Sequence, residues 1–177
     1  MRKLLLLLPL WFLPGAALAQ QTPRVEVFGG YSNMVANANT SNFDLNGVDF
    51  SVTENLNSWF GGTLDFSSHF GTDNGFKVNT ESVTYGPVFS YRKNKSIVPF
   101  AHGLLGAVRG GPEYLGISKP ENRFGVYGGG GLDVKVSPHV ALRLFQADYM
   151  MTRFSSIRQD NFRLSAGIVL FLGKKKK

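Results

Sequence analysis

After residue 20, most of the chain alternates between apolar and polar residues with a period of two. Successive side chains of a β-strand point to opposite faces, so this pattern predicts strands that have one apolar face and one polar face. Helical periodicity is scarce, and clusters of glycine and asparagine separate the alternating segments. The pattern predicts an all-β fold of eight strands, at residues 24–34, 47–55, 59–66, 83–92, 97–109, 123–136, 140–154 and 161–172.

The segments that join the predicted strands alternate in length. Short connections lie at residues 56–58, 93–96 and 137–139, and longer ones lie at 35–46, 67–79, 110–122 and 155–160. Such an arrangement is typical of an antiparallel up-and-down meander with turns at one rim and loops at the other. Eight strands of this kind can close into a barrel that has no unpaired edge. The alternation slips once, near Gln146 to Asp148, which predicts a β-bulge there.

Strands of about 9–11 residues are also long enough to cross a bilayer when tilted. The apolar faces could therefore point outward, in a transmembrane β-barrel, or inward, in a soluble periplasmic barrel that binds an apolar ligand. The polar face of a soluble barrel meets water and should be rich in Lys and Glu. Here that face is mostly Gly, Ser, Thr and Ala, and charged residues make up 18% of the chain, against roughly 25% in soluble domains. This composition favours the transmembrane barrel.

The isolated charges on the polar face have both signs. Inside a narrow barrel they would have to pair with one another, because an unpaired charge is costly to bury. We therefore predict a charge network in the barrel interior, formed by Glu26, Asp49, Asp65, Asp133, Lys135, Arg143 and Arg163.

The apolar face carries aromatic residues close to the predicted strand ends. Transmembrane barrels place aromatic side chains in two girdles, one at each membrane–water interface. In water the same face would be a large adhesive surface. The predicted girdle residues are Tyr31, Phe60, Tyr85, Tyr91, Phe100 and Phe124.

Residues 1–19 have the features of a secretory signal peptide. A positively charged start and an apolar stretch at residues 4–13 precede a small-x-small cleavage site at Ala17 and Ala19. Two prolines interrupt the apolar residues, which fall short of the ~20 that a membrane-spanning helix needs. We expect export of the chain and removal of this segment.

The formal net charge of +7 does not indicate nucleic-acid binding. Two of these charges lie in the leader and four lie in the basic tail at residues 174–177, which leaves +1 for the barrel domain at residues 20–173. No nucleic-acid partner is expected for a domain this close to neutral. The chain also contains no cysteine, which excludes disulfides, thiolate zinc sites, iron–sulfur clusters and a cysteine nucleophile.

Several short motifs resemble, in the same order, those of the small outer-membrane β-barrel family, which includes the membrane domain of outer-membrane protein A and the opacity proteins. They lie at residues 25–31, 61–67, 85–92, 99–100, 128–133 and 143–153. The resemblance implies an integral protein of the cell outer membrane. It also implies that the termini and the short turns face the periplasm and that the four long loops face outward.

The last predicted strand resembles the C-terminal signal by which the outer-membrane insertion machinery selects barrels. The matching residues are Ser165, Gly167, Leu170 and Leu172. The strand departs from that signal because Leu172 replaces the usual final aromatic residue, and because Gly173 and four lysines follow it. The alternative is an ordinary alternating strand.

No group of residues predicts catalysis, a metal site or a cofactor. His69 lies in a predicted external loop, His102 lies within a strand, and His139 lies in a short turn. None has the spacing of a metal site with another histidine. Residues 128–131 are all glycine but lack the Gly-Lys-Ser/Thr ending of a phosphate-binding loop. The chain is therefore not expected to be an enzyme, and a lipid-modifying enzyme that uses His69 or His102 is the less favoured alternative.

The predicted function is structural or depends on surface interactions. An eight-stranded lumen is just filled by side chains, which makes an open pore doubtful. The expected partners are outer-membrane lipid, the barrel insertion machinery, and a surface ligand or host-cell partner that contacts the loops at residues 35–46, 67–79 and 110–122.

Overall fold

The computed structural model describes residues 22–38, 41–73, 76–94, 96–114, 117–118, 121–154 and 157–174. The predicted signal peptide and residues 175–177 of the basic tail lie outside these ranges. No helix in the described ranges is long and apolar enough to cross a membrane.

The described chain folds into β-strands joined in one closed sheet. The strands are β1 (Pro23–Ala38), β2 (Ser41–Asn55), β3 (Phe60–Asp73), β4 (Phe76–Ser90), β5 (Ile97–Tyr114), β6 (Ile117–Ser118), β7 (Glu121–Lys135), β8 (Val140–Phe154) and β9 (Ile157–Lys174). Apart from β6, which pairs with β5 alone, each strand pairs antiparallel with the strands on either side. Pairing of β1 with β9 and of β4 with β5 completes the ring. The predicted eight-stranded up-and-down barrel is confirmed.

The short turns are held by side chains that accept backbone hydrogen bonds. Asn57 Oδ1 accepts hydrogen bonds from the amides of Trp59 and Phe60, at 2.9 and 2.8 Å. Asn94 Oδ1 accepts bonds from the amides of Ser96 and Ile97 in the same way, at 2.9 and 3.1 Å. Asparagine favours such turns because its side chain replaces the missing backbone acceptor. The rim that contains these turns is called the turn end below, and the opposite rim is called the loop end.

The prediction of four long loops is wrong. Residues 35–46 lie mostly in β1 and β2, and residues 67–79, 110–122 and 155–160 also lie largely in strands. The polar residues there end the apolar alternation, but they do not end the antiparallel hydrogen-bond ladder, which needs only backbone groups. The hairpins at the loop end are therefore longer, and the segments between their strands shorter, than predicted.

The apolar faces of the strands point outward and the polar faces point inward. Tyr85 is 62% exposed and Leu172 is 51% exposed, whereas Asp65 and Arg163 are buried. Alternation along β5 could not be assigned from sequence because both of its faces are apolar or small; in the structure Leu104 and Val108 point inward. Two apolar clusters lie in the interior on either side of Arg163. They comprise Met34, Ala36, Leu45, Leu104, Val108, Tyr127 and Met150 towards the loop end, and Phe28, Ala141, Val169 and Phe171 towards the turn end.

A β-bulge interrupts β8 slightly earlier than predicted. Leu144 and Phe145 both point outward, at 53% and 46% exposure, and the pairing register of β8 shifts between Arg143 and Gln146. One extra residue reverses the faces of all residues that follow it in a strand. Gln146 and Asp148 therefore point into the barrel, whereas strict alternation from Arg143 would place both outside.

The bulge predicts that two consecutive side chains face the lipid. The chain has no native cysteine, so single replacements Leu144→Cys, Phe145→Cys and Gln146→Cys can each carry a bimane fluorophore in vesicles that contain brominated lipid. We expect quenching at positions 144 and 145 but not at 146. Quenching at 144 and 146 without quenching at 145 would show regular alternation and contradict the bulge. Heat-modifiable mobility on SDS gels serves to confirm that each variant is folded.

Candidate functional site in the barrel interior

Arg163 of β9 is fully buried at the centre of the interior charges. Its Nε and Nη2 atoms donate to Asp148 Oδ2 at 2.9 and 2.7 Å, and its Nη1 and Nη2 atoms donate to Asp65 at 3.0 and 3.3 Å. Asp49 Oδ1 lies 3.6 Å from Nη1. The planar guanidinium suits this arrangement because its donors form a rigid fork that matches carboxylates. One side chain of β9 thus binds a carboxylate of the neighbouring strand β8 and, across the barrel interior, carboxylates of β2 and β3.

Asp148 has two further partners, His102 and Gln146. The predicted charge network included none of these three residues. His102 Nε2 lies 2.7 Å from Asp148 Oδ1, and Gln146 Nε2 donates to Asp148 Oδ2 at 2.8 Å. The sequence signal for Asp148 and Gln146 was the slip in alternation, which indicated that the faces of β8 change. His102 could not be assigned because the faces of β5 were ambiguous.

Arg143 forms a second cation site nearer the turn end. It donates to both carboxylate oxygens of Asp133, at 2.8 and 3.1 Å. The rings of Phe28 and Phe100 flank its guanidinium, each with its centroid 4.2 Å from the guanidinium carbon. Arg143 Nη1 also donates to Gln146 Oε1 at 2.6 Å, which links this site to the Arg163 site.

Glu26 and Arg92 form a third ion pair close to the turn end. Arg92 Nη2 lies 2.5 Å from Glu26 Oε1, and both side chains are buried. Asn55 completes the group, because its Nδ2 donates to Glu26 at 3.0 Å and its Oδ1 accepts a bond from Arg92 at 3.1 Å. Arg92 is not among the residues predicted for the charge network.

The prediction that His69 lies in an external loop is wrong. Because β3 continues to Asp73, His69 lies inside the barrel with no exposed surface. Its Nε2 is 2.8 Å from Ser32 Oγ, which in turn accepts a hydrogen bond from Ser165 Oγ at 2.9 Å. No group of three or more metal-ligating side chains that could hold an ion is found among the described residues.

Six of the seven residues of the predicted charge network are buried in the interior and lie within the three sites described above. They are Glu26, Asp49, Asp65, Asp133, Arg143 and Arg163. The seventh, Lys135, is half-buried at the turn end, where its Nζ lies 5.6 Å from the centroid of the Phe171 ring.

The prediction that Phe100 belongs to an outer aromatic girdle is wrong. Phe100 is 9% exposed and lies inside the barrel against Arg143 and His102. The ambiguous faces of β5 explain the error. Phe60 is half-buried beside Phe89, with ring centroids 5.3 Å apart. The other predicted girdle residues point outward and are exposed: Tyr31, Tyr85, Tyr91 and Phe124.

The four residues of the predicted insertion signal lie on both faces of β9. Ser165 and Gly167 point inward, and Leu170 and Leu172 are exposed on the outer face. The strand continues beyond them to Lys174, after Gly173 adopts a positive φ of 65°. Only glycine adopts such a backbone conformation without steric cost.

Gly129 of β7 leaves the space that Asp148 occupies. A Cβ atom on Gly129 would lie 2.0 Å from Asp148 Oδ1 and 2.4 Å from the Ala147 carbonyl oxygen. Its neighbour Gly128 faces outward, where an added Cβ would meet nothing within 4 Å. Within this run of four glycines, the charge network therefore requires glycine at position 129 but not at position 128.

This contrast provides a matched pair of variants. Gly129→Ala should lower the free energy of unfolding by at least about 1–3 kcal/mol, because the new methyl group displaces Asp148 and the adjacent backbone. Gly128→Ala should leave it unchanged or raise it by up to about 1 kcal/mol, as expected for alanine in place of glycine in a strand. Urea unfolding of the two variants in lipid vesicles measures the difference. Equal effects would show that Gly129 does not determine the placement of Asp148.

Comparison with solved structures identifies several barrels of the same shape. Neisserial surface protein A is 14% identical with a TM-score of 0.75, and the match covers 84% of this chain and 97% of that one. The attachment invasion locus protein Ail of Yersinia pestis is 21% identical with a TM-score of 0.58, with 83% and 98% covered. OprG of Pseudomonas aeruginosa is 11% identical with a TM-score of 0.57, with 86% and 97% covered.

No curated protein sequence matches the chain. The family described as outer membrane protein beta-barrel domain matches residues 5–169, which is most of the sequence. A closed ring of antiparallel strands with charged residues inside and apolar residues outside agrees with this match, and the chain belongs to the outer membrane protein beta-barrel domain family.

Proposed function

We propose that this outer-membrane barrel is a closed structural element of the envelope rather than an open pore. The observation that carries the proposal is the position of Arg163, which binds a carboxylate of neighbouring β8 and, across the barrel interior, carboxylates of β2 and β3. An eight-stranded barrel is just wide enough for side chains to fill its lumen. The apolar clusters on either side of Arg163 add further bulk to the interior.

We infer that the turn end faces the periplasm and that the long hairpins of the loop end extend outward. β1 begins and β9 ends at the turn end, where Pro23 pairs with Lys174. In this orientation β9 is the strand that the insertion machinery would recognise. The hairpins would be available to contact a surface partner.

Two other functions have less support. A soluble barrel that binds an apolar ligand would expose the outer face to water, and that face carries large apolar side chains such as Tyr31 and Phe124. A lipid-modifying enzyme would need its catalytic histidine at the lipid-facing surface, whereas His69 and His102 are buried inside and bonded to Ser32 and Asp148.

The side chains described at the loop end do not favour binding of a polyanion either. Ail of Yersinia pestis has been crystallised in complex with the heparin analogue sucrose octasulfate. In the present chain, the charged side chains described at the loop end with exposed or half-exposed surface balance one another. They are Asp44, Lys77, Glu81, Arg109, Arg123 and Asp160.

Planar-bilayer recordings test the proposal of a closed lumen. The folded wild-type barrel should insert without conductance steps, with a general porin as the positive control for insertion. Arg143→Ala should raise the conductance, because it removes the side chain that lies between Phe28 and Phe100. The matched control is Arg109→Ala on the exposed surface, which should not change it. Uniform conductance steps from wild type would contradict the proposal, and no change in Arg143→Ala would show that Arg143 alone does not close the lumen.

A further inference from the structure

The acids buried inside the barrel outnumber the buried arginines. Among the described residues these groups are Glu26, Asp49, Asp65, Asp133 and Asp148, and Arg92, Arg143 and Arg163. The Arg92 and Arg143 sites described above each contain one buried acid and one arginine. The remaining three acids share Arg163, whose single positive charge cannot balance them.

A histidine supplies at most one further positive charge to the acids around Arg163. His102 Nε2 lies 2.7 Å from Asp148 Oδ1, so a protonated imidazole there would form an ion pair. His69 is unsuited to the same role, because a protonated imidazole donates from both ring nitrogens. Its Nε2 lies 2.8 Å from Ser32 Oγ, but its buried Nδ1 has no hydrogen-bond partner among the described residues. Even with His102 charged, three acids face two cations.

Asp49 is the acid of this group with the weakest hydrogen bonding. Arg163 donates two hydrogen bonds to Asp65 and two to Asp148, all of 3.3 Å or shorter. Asp49 Oδ1 lies 3.6 Å from Arg163 Nη1, beyond hydrogen-bond range, and has no hydrogen-bond partner within the described parts of the chain. Its Oδ2 lies 3.5 Å from Gln146 Nε2, at the limit of that range. The side chain of Asp49 has no exposed surface, so bulk water does not solvate it.

The other ionisable groups around Asp49 do not offset a negative charge on it. Asp65 of β3 and Asp148 of β8 bind the same guanidinium, so their charges repel a charge on Asp49. Tyr127 of β7 has its ring centroid 5.6 Å from the Arg163 guanidinium carbon and carries no positive charge. Arg163 of β9 remains as the counter-charge of Asp49, and two better placed carboxylates already bind it.

We propose that Asp49 is a buried proton-binding site and that its carboxyl group is a neutral acid at neutral pH. One bound proton removes the surplus negative charge and leaves Asp65 and Asp148 to pair with Arg163 and His102. A neutral Asp49 keeps its contact with Arg163 through an uncharged oxygen. The folded barrel thus holds a proton that the unfolded chain releases above about pH 4, which makes its stability depend on pH. The proposal does not depend on a closed lumen.

Infrared spectroscopy of the folded barrel tests the proposal directly. A protonated carboxyl group has a C=O stretching band that is separate from the bands of a carboxylate. Vesicles of ether-linked lipid are used, because they lack the ester carbonyls that would hide this band. We expect the band at neutral pH in wild type and in Asp133→Asn, and we expect its loss in Asp49→Asn.

The same two substitutions distinguish a neutral acid from a paired carboxylate by their effect on stability. Asparagine has the shape of a protonated aspartate, so Asp49→Asn should leave the urea midpoint at neutral pH unchanged or raise it. Asp133→Asn is the matched control, because it removes the acid that binds Arg143, and it should lower the midpoint. Heat-modifiable mobility on SDS gels confirms that each variant is folded.

The difference in stability between wild type and Asp49→Asn should change with pH. Above about pH 4 the folded wild type holds one proton more than its unfolded chain, so its stability falls as the pH rises. Asp49→Asn lacks this proton, and the other ionisable groups contribute to both proteins alike. The ratio of the unfolding equilibrium constants, wild type to variant, should therefore increase by up to about tenfold for each unit between about pH 5 and pH 7. Urea unfolding in lipid vesicles at a series of pH values measures this ratio.

Several results would overturn the proposal. Absence of the carboxyl band from wild type at neutral pH would show that no buried acid holds a proton, and this result needs no variant. Persistence of the band in Asp49→Asn would place the proton on another acid. An equal fall of the urea midpoint in both variants, or a ratio of unfolding constants that does not change with pH, would show that Asp49 is ionised. None of these results depends on the conductance of the barrel, so the proposed closed lumen is tested separately.

Discussion

The structure depends on one guanidinium group that several strands share. A barrel in lipid must bury its polar face in a narrow interior, and each charge placed there needs a partner because an unpaired one costs several kcal/mol. Arg163 meets this need for Asp65 and Asp148, which reach it from β3 and β8. Asp148 faces Arg163 within the β8–β9 hairpin, whereas Asp65 lies 98 residues away in the sequence and reaches Arg163 across the interior. The shared guanidinium therefore joins this hairpin to β3 on another part of the ring.

Two local features of the backbone make this interaction geometrically possible. The bulge at Leu144 and Phe145 changes the faces of β8, so that Asp148 points into the barrel and reaches Arg163. On the neighbouring strand, Gly129 provides space for the same carboxylate. The bulge in β8 and the glycine in β7 thus both allow Asp148 to form its buried ion pair with Arg163.

The strand number, the topology and the faces of most strands could be predicted from the sequence, because period-two alternation reports directly which side chains share a face. The lengths of the loop-end hairpins could not, since backbone pairing continues where the side-chain pattern ends. Phe100 and His102 were misplaced or left unassigned because both faces of β5 are apolar or small. Asp148 was missed as a network residue, although the slip in alternation beside it was detected. The ion pairs of Arg92 with Glu26 and of Arg163 with Asp65 join strands that are distant in the sequence, which no local pattern reports.

A double-mutant cycle between Arg163 and Asp148 tests most directly whether their interaction stabilises the barrel. Unfolding free energies of wild type, Arg163→Ala, Asp148→Ala and the double variant are measured by urea unfolding in lipid vesicles. We expect each single variant to lose about 3–5 kcal/mol, because each removes a principal partner of a buried charge. The double variant should lose less than the sum, with a coupling free energy of at least about 1 kcal/mol. Losses that add within about 0.5 kcal/mol would show that the two residues act independently and would contradict this account.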